Sequence, residues 1–388
     1  MQTTSSRLLS LDVLRGITIA GMILVNNPGS WQHIYTPLQH ARWDGLTPTD
    51  LVFPFFMFIM GVSIYLSYKK FDFRFSHQTC LKLVRRSLLL FLIGLFLNYF
   101  GLFCRTLASL RIEEIALGQK WLIAATDILP DLRIMGVLQR LALASLLASM
   151  ITLCLRRKAL PWLIGGILVV YGIGMIAAGS LTLNDENIVG VVDRAVLGTS
   201  HMYKLHGINF EPEGLLSTLP CIAHVLIGVV VGRFIDTQHH TDKIRKLFLF
   251  GTVLLFAGLL LQYALPINKS LWSSTYVLVT CGLASLLFGL LIWLIDIKGW
   301  RRGWVFFESF GINPMAIFVI GGILTTLIGN IGFTFHEQHT SLKGFVYDTL
   351  LVPYAGYELG SLLFALLFVG ICWGISYILY RKNIYIKI

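Results

Sequence analysis

Residues 26–61, NNPGSWQHIYTPLQHARWDGLTPTDLVFPFFMFIMG, begin at the polar end of one apolar segment and finish inside the next. Between them lies a short loop holding His33, His40, Trp31, Trp43 and Asp44. That is a dense group of chemically capable side chains for a chain this apolar. Thr47-Pro48-Thr49-Asp50 reads as a helix start, with Thr47 as N-cap, Pro48 at the first helical position and Asp50 reaching back as in a capping box. Two apolar helices joined by such a loop describe a membrane scaffold, and the rest of the sequence is read as the remainder of that scaffold.

Composition agrees. Of 388 residues, 56% are hydrophobic and only 13% charged, where a soluble globular chain has nearer a quarter charged. The mean hydropathy is +0.74, and apolar runs of about 20 residues recur, long enough to cross a bilayer. The formal net charge of +11 lies in short basic clusters between apolar runs, a pattern that orients membrane proteins rather than one that binds nucleic acid. The six cysteines are scattered, with no CxxC and no zinc spacing, so neither disulfide nor metal is expected.

Ten spans are predicted: 8–28, 48–68, 83–103, 132–154, 159–179, 215–233, 246–266, 271–295, 304–328 and 357–380. The expected fold is therefore all-α, a polytopic bundle of about ten transmembrane helices forming one domain over 1–388. Every basic cluster falls after an even-numbered span or at a terminus: Arg7; Lys69, Lys70 and Arg74 through Arg86; Arg156 to Lys158; Arg233 to Lys246; Lys298 to Arg302; Arg381 to Lys387. Both termini are thus expected in the cytoplasm, and the 26–50 loop outside.

Several side chains are candidates for chemistry. Asp12 and Arg15 lie three apart on one helical face, as a functional pair or one that neutralises itself. Asn26 and Asn27 either end a helix or offer an amide to a carbonyl or an amine. An imidazole can exchange protons near neutrality, so His40 is a base or acyl acceptor, or else an interfacial ring that ties down its loop; His33 is the weaker candidate. Asp50 caps its helix or orients His40. Arg133, Gln139 and Arg140 open the fourth span, and a guanidinium at the depth of Arg140 needs an anionic or carbonyl partner: Asp12, Asp50, or a phosphate or thioester of a ligand. In the ninth span, Gly311-Ile312-Asn313-Pro314 predicts a kink that frees backbone groups for a polar cavity. No P-loop, GxSxG, HExxH or heme motif is present.

The blocks LDVLRGITIAGMILVNN, HARWDGLTPTDLVFPFFMFIMGVSI, RIMGVLQRLAL, FEPEGLLSTLP and PINKSLWSSTYVL, with GINPMAIF beyond them, recur in an order that resembles the bacterial branch of the heparan-α-glucosaminide N-acetyltransferase family, within the wider transmembrane acyltransferases. LDxLRG is shared widely; the HARWDGLTPTDLVFPFF block is the specific one. The resemblance implies transfer of acetyl from cytosolic acetyl-CoA to the amine of a glucosamine across the membrane, without a metal. It places the family's histidine at His40 and its associated asparagine at Asn26. On the acceptor side it makes Trp31, Trp43, Asp50, Glu213 and Asn268 candidates for substrate binding, and Arg133, Gln139 and Arg140 for acetyl-CoA. It implies an inner-membrane protein of a bacterium, and a homodimer. The loop between Asn26 and His40 looks longer than in the animal enzyme, so heparan itself is not carried over. The rival readings are O-acylation of a surface glycan by the same machinery, and a sugar or lipid-sugar transporter in which His40 and Arg140 gate or relay protons.

Overall fold

A computed structural model describes residues 8–236, 240–335 and 338–386; Arg7 and Lys387, counted above among the orienting charges, lie outside them. The chain is helical over 72% of its length with two small hairpins, Lys204–Leu205 with Ile208–Asn209 and Gly332–Phe335 with Gln338–Ser341. The long helices are α1 (Leu9–Asn26), α2 (Val52–Lys69), α3 (His77–Ser109), α4 (Val137–Cys154), α5 (Leu160–Ala177), α6 (Thr218–Ile235), α7 (His240–Leu261), α8 (Ser274–Leu291), the pair α9 (Val305–Ile312) and α10 (Pro314–Asn330), and α11 (Tyr357–Arg381). Among the described residues nine helices are long and apolar enough to cross a membrane, and the bent pair makes a tenth.

The centre of the bundle is α6, 78% of whose membrane window is buried, against 17% for α3 and α7, which turn most of their apolar surface outward. A helix hydrophobic all round has to meet either lipid or other helices, and these two groups show both outcomes. Close crossings are made with glycine. A Cβ on Gly61 of α2 would come 2.0 Å from the carbonyl oxygen of Val225, and one on Gly228 of α6 2.1 Å from that of Phe58. Such small-residue contacts are how membrane helices approach when water no longer drives them together.

Three expectations are corrected. The fourth span starts at Val137 rather than residue 132, because the preceding segment is drawn into the outer loops: Ile134 N–H donates to His201 O at 3.2 Å and Leu132 O lies 2.8 Å from His201 Nδ1. The third span is a 33-residue helix, longer at both ends than 83–103, starting at the Ser76 cap, whose side chain accepts from Thr79 N–H at 3.2 Å. The ninth span is broken, not merely kinked: α9 and α10 meet at 89°. Asn313 at the break is buried and spends its amide on the chain that follows α11. Its Nδ2 donates to Ile384 O and its Oδ1 accepts from Ile386 N–H, both at 2.8 Å, fastening the chain that leaves α11.

These contacts also place the chain ends. Gly311 touches the Asp12 backbone at the start of α1, while Asn313 holds the residues after α11. At the other end, Thr325 of α10 bonds Asn27 at the end of α1. The α9–α10 pair therefore crosses the bundle once, and both chain ends share one face. The 26–50 loop lies on the opposite face.

Candidate active site

The loop from α1 to α2 is fastened at several points. His33 stacks on Tyr357 with ring centroids 4.7 Å apart, Trp43 donates its indole N–H to Leu181 O at 2.8 Å, and Asp44 pairs with Asn268 across an isolated antiparallel bridge. Asn268 is fully buried and spends its amide on this work: Nδ2 donates to Asp44 Oδ1 at 3.2 Å and Oδ1 accepts from Leu271 N–H at 2.8 Å. Trp43 meets Phe210 edge-on, so it too anchors the loop, whereas Trp31 stands 61% exposed.

Asp50 divides its two oxygens between two tasks. Oδ2 accepts from Ala41 N–H at 3.0 Å and Thr47 N–H at 3.2 Å, with the Thr47 hydroxyl at 2.9 Å, which closes the capping box. Oδ1 lies 2.6 Å from His40 Nδ1 and 3.3 Å from Lys269 Nζ. The carboxyl is 1% exposed and His40 is 43% exposed, so the acid is buried beneath a ring that reaches the surface. The two alternatives for Asp50 in the sequence are thus both occupied geometrically, one by each oxygen.

Lys269 completes the group, with Nζ 3.0 Å from His40 Nδ1. Burial lowers its pKa, against the pull of Asp50 and Glu213. A nitrogen that donates its proton to Asp50 leaves the lone pair on Nε2, the orientation a carboxylate imposes on a catalytic imidazole. Lys269 lies within PINKSLWSSTYVL but is not among the sequence candidates above. A lysine in a loop carries no signal until folding brings it to residues more than 200 positions away.

Behind this triad runs a second tier of charge. Arg133 pairs with Glu211 at 2.5 Å and with Glu213 at 2.6 Å. Burial alone would lower the pKa of Arg133, but the two carboxylates outweigh it and raise it. Burial would likewise raise Glu213, but Arg133, Arg140 and Lys269 hold it low. Both carboxylates come from FEPEGLLSTLP; Glu213 is a sequence candidate and Glu211 is not. The neighbouring charges alternate in sign, with His40 and Lys269 on Asp50, Glu213 acting on Lys269, and Arg133 and Arg140 acting on Glu213; of these Arg140 is fully buried while Arg133 is 28% exposed.

Arg140 is fully buried, and neither Asp12 nor Asp50 is its partner. It donates to the Ser217 hydroxyl and, at 3.3 Å, to Gly214 O, and its guanidinium lies 5.0 Å from the Trp272 ring. Its Nε and Nη1 donors find no protein acceptor, nor does Nε2 of buried Gln139. Asp193, on the helix Ile188–Leu197, is also buried; one oxygen accepts from Leu215 and Leu216 N–H and the other has no donor. Burial pushes the Asp193 carboxyl up to about 6 against those N–H bonds and the Arg140 charge. Asn26 ends α1 exposed and makes no hydrogen bond to His40.

The described residues thus form a bundle of apolar helices that buries an acid beneath a surface imidazole, with cationic groups nearby. Residues 7–267 match the family described as heparan-α-glucosaminide N-acetyltransferase, catalytic, and the chain belongs to that family. It is 27% identical to the heparan-α-glucosaminide N-acetyltransferase of Homo sapiens, covering 81% of this chain and 52% of the relative, and 29% identical to that of Mus musculus, covering 82% and 54%. The chain spans about half the length of these curated relatives.

Proposed function

We propose that this protein transfers acetyl from acetyl-CoA to the amine of a glucosamine-type sugar, with His40 as the reacting group and the acceptor arriving on the face opposite the chain ends. The observation that carries the reading is the arrangement of His40, Asp50 and Lys269, within and just beyond the family's matched region. Asp50 Oδ1 holds the ring so that Nε2 presents a lone pair. On the acceptor amine that lone pair acts as general base; on the thioester it acts as nucleophile and forms an acetyl-imidazole, with CoA leaving as thiol. Label retained on protein without acceptor separates these two routes.

Acetyl-CoA would approach from the face of the chain ends, taken as cytoplasmic from the basic clusters. A cavity of about 670 Å³ there is lined by Lys70 and Lys243, side chains suited to the cofactor's phosphates, while its other basic groups, Arg15 and Lys69, are paired with Asp12 and Asp236. The unpartnered donors of Arg140 and Gln139 suit the carbonyls of its pantetheine arm or thioester. Arg133, held by two carboxylates, shapes the acceptor side with Glu213, and Trp31 offers an exposed face for a sugar ring. Asn26 serves as the partner amide once substrate is bound. The setting is a bacterial inner membrane, with the protein as a homodimer.

Sealed vesicles carrying the protein test the sidedness. With acetyl-CoA on the side of the chain ends and glucosamine on the other, N-acetylglucosamine should accumulate outside, and His40→Ala should abolish it. Labelled sugar that crosses the membrane unacetylated would favour a transporter instead.

A further inference from the structure

A second cavity, of about 390 Å³, opens among α2, α4, α5, α6, α7 and α8, far from His40 and toward the face of the chain ends. Its walls are aliphatic and aromatic, contributed by Ile164, Leu168, Ile227, Val230, Phe250 and Leu254 among others, and its rim carries Arg157 and Arg233. Both arginines are exposed, and neither has a carboxylate within ion-pair distance among the described residues. Asp236, three residues after Arg233, is taken by Lys69 and by the Tyr65 hydroxyl at 3.2 Å.

The rim is built rather than incidental. After α2 the chain turns through Asp72 and Phe73, both in the left-handed region (φ 51° and 54°), a conformation that costs a side-chain-bearing residue on the order of 1 kcal/mol. The turn sets the Phe73 ring 5.1 Å from Tyr65 and places the Arg157 guanidinium 4.0 Å over it. A cation is thereby held at the mouth of an apolar slot that lies between membrane-spanning helices.

We propose that this cavity binds an anionic phospholipid, one acyl chain entering between α5 and α6 and the headgroup phosphate meeting Arg157 and Arg233. Basic pockets between membrane helices recognise anionic headgroups through this pairing of apolar depth with cationic rim. A water-soluble nucleotide does not fit the depth of the slot, because aliphatic walls leave its polar groups unpaired. The site is independent of the acetyl-transfer reading.

Gly165 makes the slot testable. A Cβ added there meets nothing within 4 Å, so a bulky side chain enters the cavity without a backbone clash. The full chain is taken up in micelles containing equal amounts of phosphatidylcholine and phosphatidylglycerol, and retained lipid is counted by native mass spectrometry. Phosphatidylglycerol should be retained in preference. Arg157→Gln with Arg233→Gln should lower its retention about thirtyfold, roughly fivefold for each cation near the surface. Gly165→Phe should lower it with both arginines intact, and Arg156→Gln, a neighbouring exposed position, should leave it unchanged. Equal retention of the two lipids, or retention indifferent to both the arginine pair and Gly165→Phe, overturns the proposal. Displacement by soluble glycerol 3-phosphate also overturns it, since the site would then hold an anion without needing the acyl chain.

Discussion

Two buried aspartates, one near each face, look alike in sequence and differ in the structure. Asp12 meets Arg15 at 2.9 Å, one turn along the same helix, and Arg15 adds a bond to Ser63 at 2.5 Å. Asp50 meets His40 and Lys269, brought from two other segments, and the charges of Glu213, Arg133 and Arg140 lie close by. The first pair joins neighbours on one helix; the second draws on distant segments and leaves the His40 ring 43% exposed. Burial of a charge is therefore a poor pointer to chemistry. Convergence of unlike groups from distant segments, with one left free to react, is a better one.

Substitutions sharpen this contrast. His40→Ala should lower acetyl transfer by about 10² to 10⁴-fold, the usual contribution of a positioned base. Asp50→Asn should cost on the order of 10²-fold in turnover through loss of the tautomer. It should also lower the melting temperature, because the capping contacts of Oδ2 weaken in the same step. Turnover and melting measured together separate the two tasks of the carboxylate.

Lys269→Met should act mainly through pH. Removing a cation 3.0 Å from the ring takes away its repulsion of positive charge there and leaves Asp50 unopposed. The acidic limb of the rate profile should move up by about one pH unit, and a profile that only scales down would make Lys269 structural.

Asp193 predicts a stability effect. Its folded pKa of about 6 exceeds the ordinary carboxylate value of 3.8, so the folded state holds the proton longer. Stability from this group is fully present below about pH 4, is lost as pH rises toward 6, and stays lost above. Asp193→Asn should flatten melting temperature across that window and recover on the order of 2 kcal/mol at neutral pH. The smallest effect is expected at the opposite face: Asp12→Asn with Arg15→Gln should change stability by about 1 kcal/mol and transfer by less than about threefold. A large loss of transfer there would break the contrast.

Much of the fold was legible because apolar runs and basic clusters are local signals. The ten spans, the capping box at Thr47 and the break at Pro314 all follow from neighbours in sequence. What misled was context. Arg133 reads as part of a span until the pairing of 132–134 with His201 pulls it out. The 89° bend exceeds what Asn-Pro alone implies, and the hold of Asn313 on the far end of the chain has no local signal in sequence. Within the site, His40 and Asp50 sit ten residues apart and could be paired by eye. Lys269, Glu211 and Asp193 come from loops whose meeting is set by tertiary packing, and Asn268 looked like a ligand although its amide is spent on Asp44 and Leu271.

The most direct measurement compares purified wild-type protein, His40→Ala, and the Asp12→Asn/Arg15→Gln double variant for transfer from radiolabelled acetyl-CoA to glucosamine. The account predicts transfer by the wild type and the double variant and background counts for His40→Ala. Transfer that survives in His40→Ala, or is lost in the double variant while it remains folded, would contradict it.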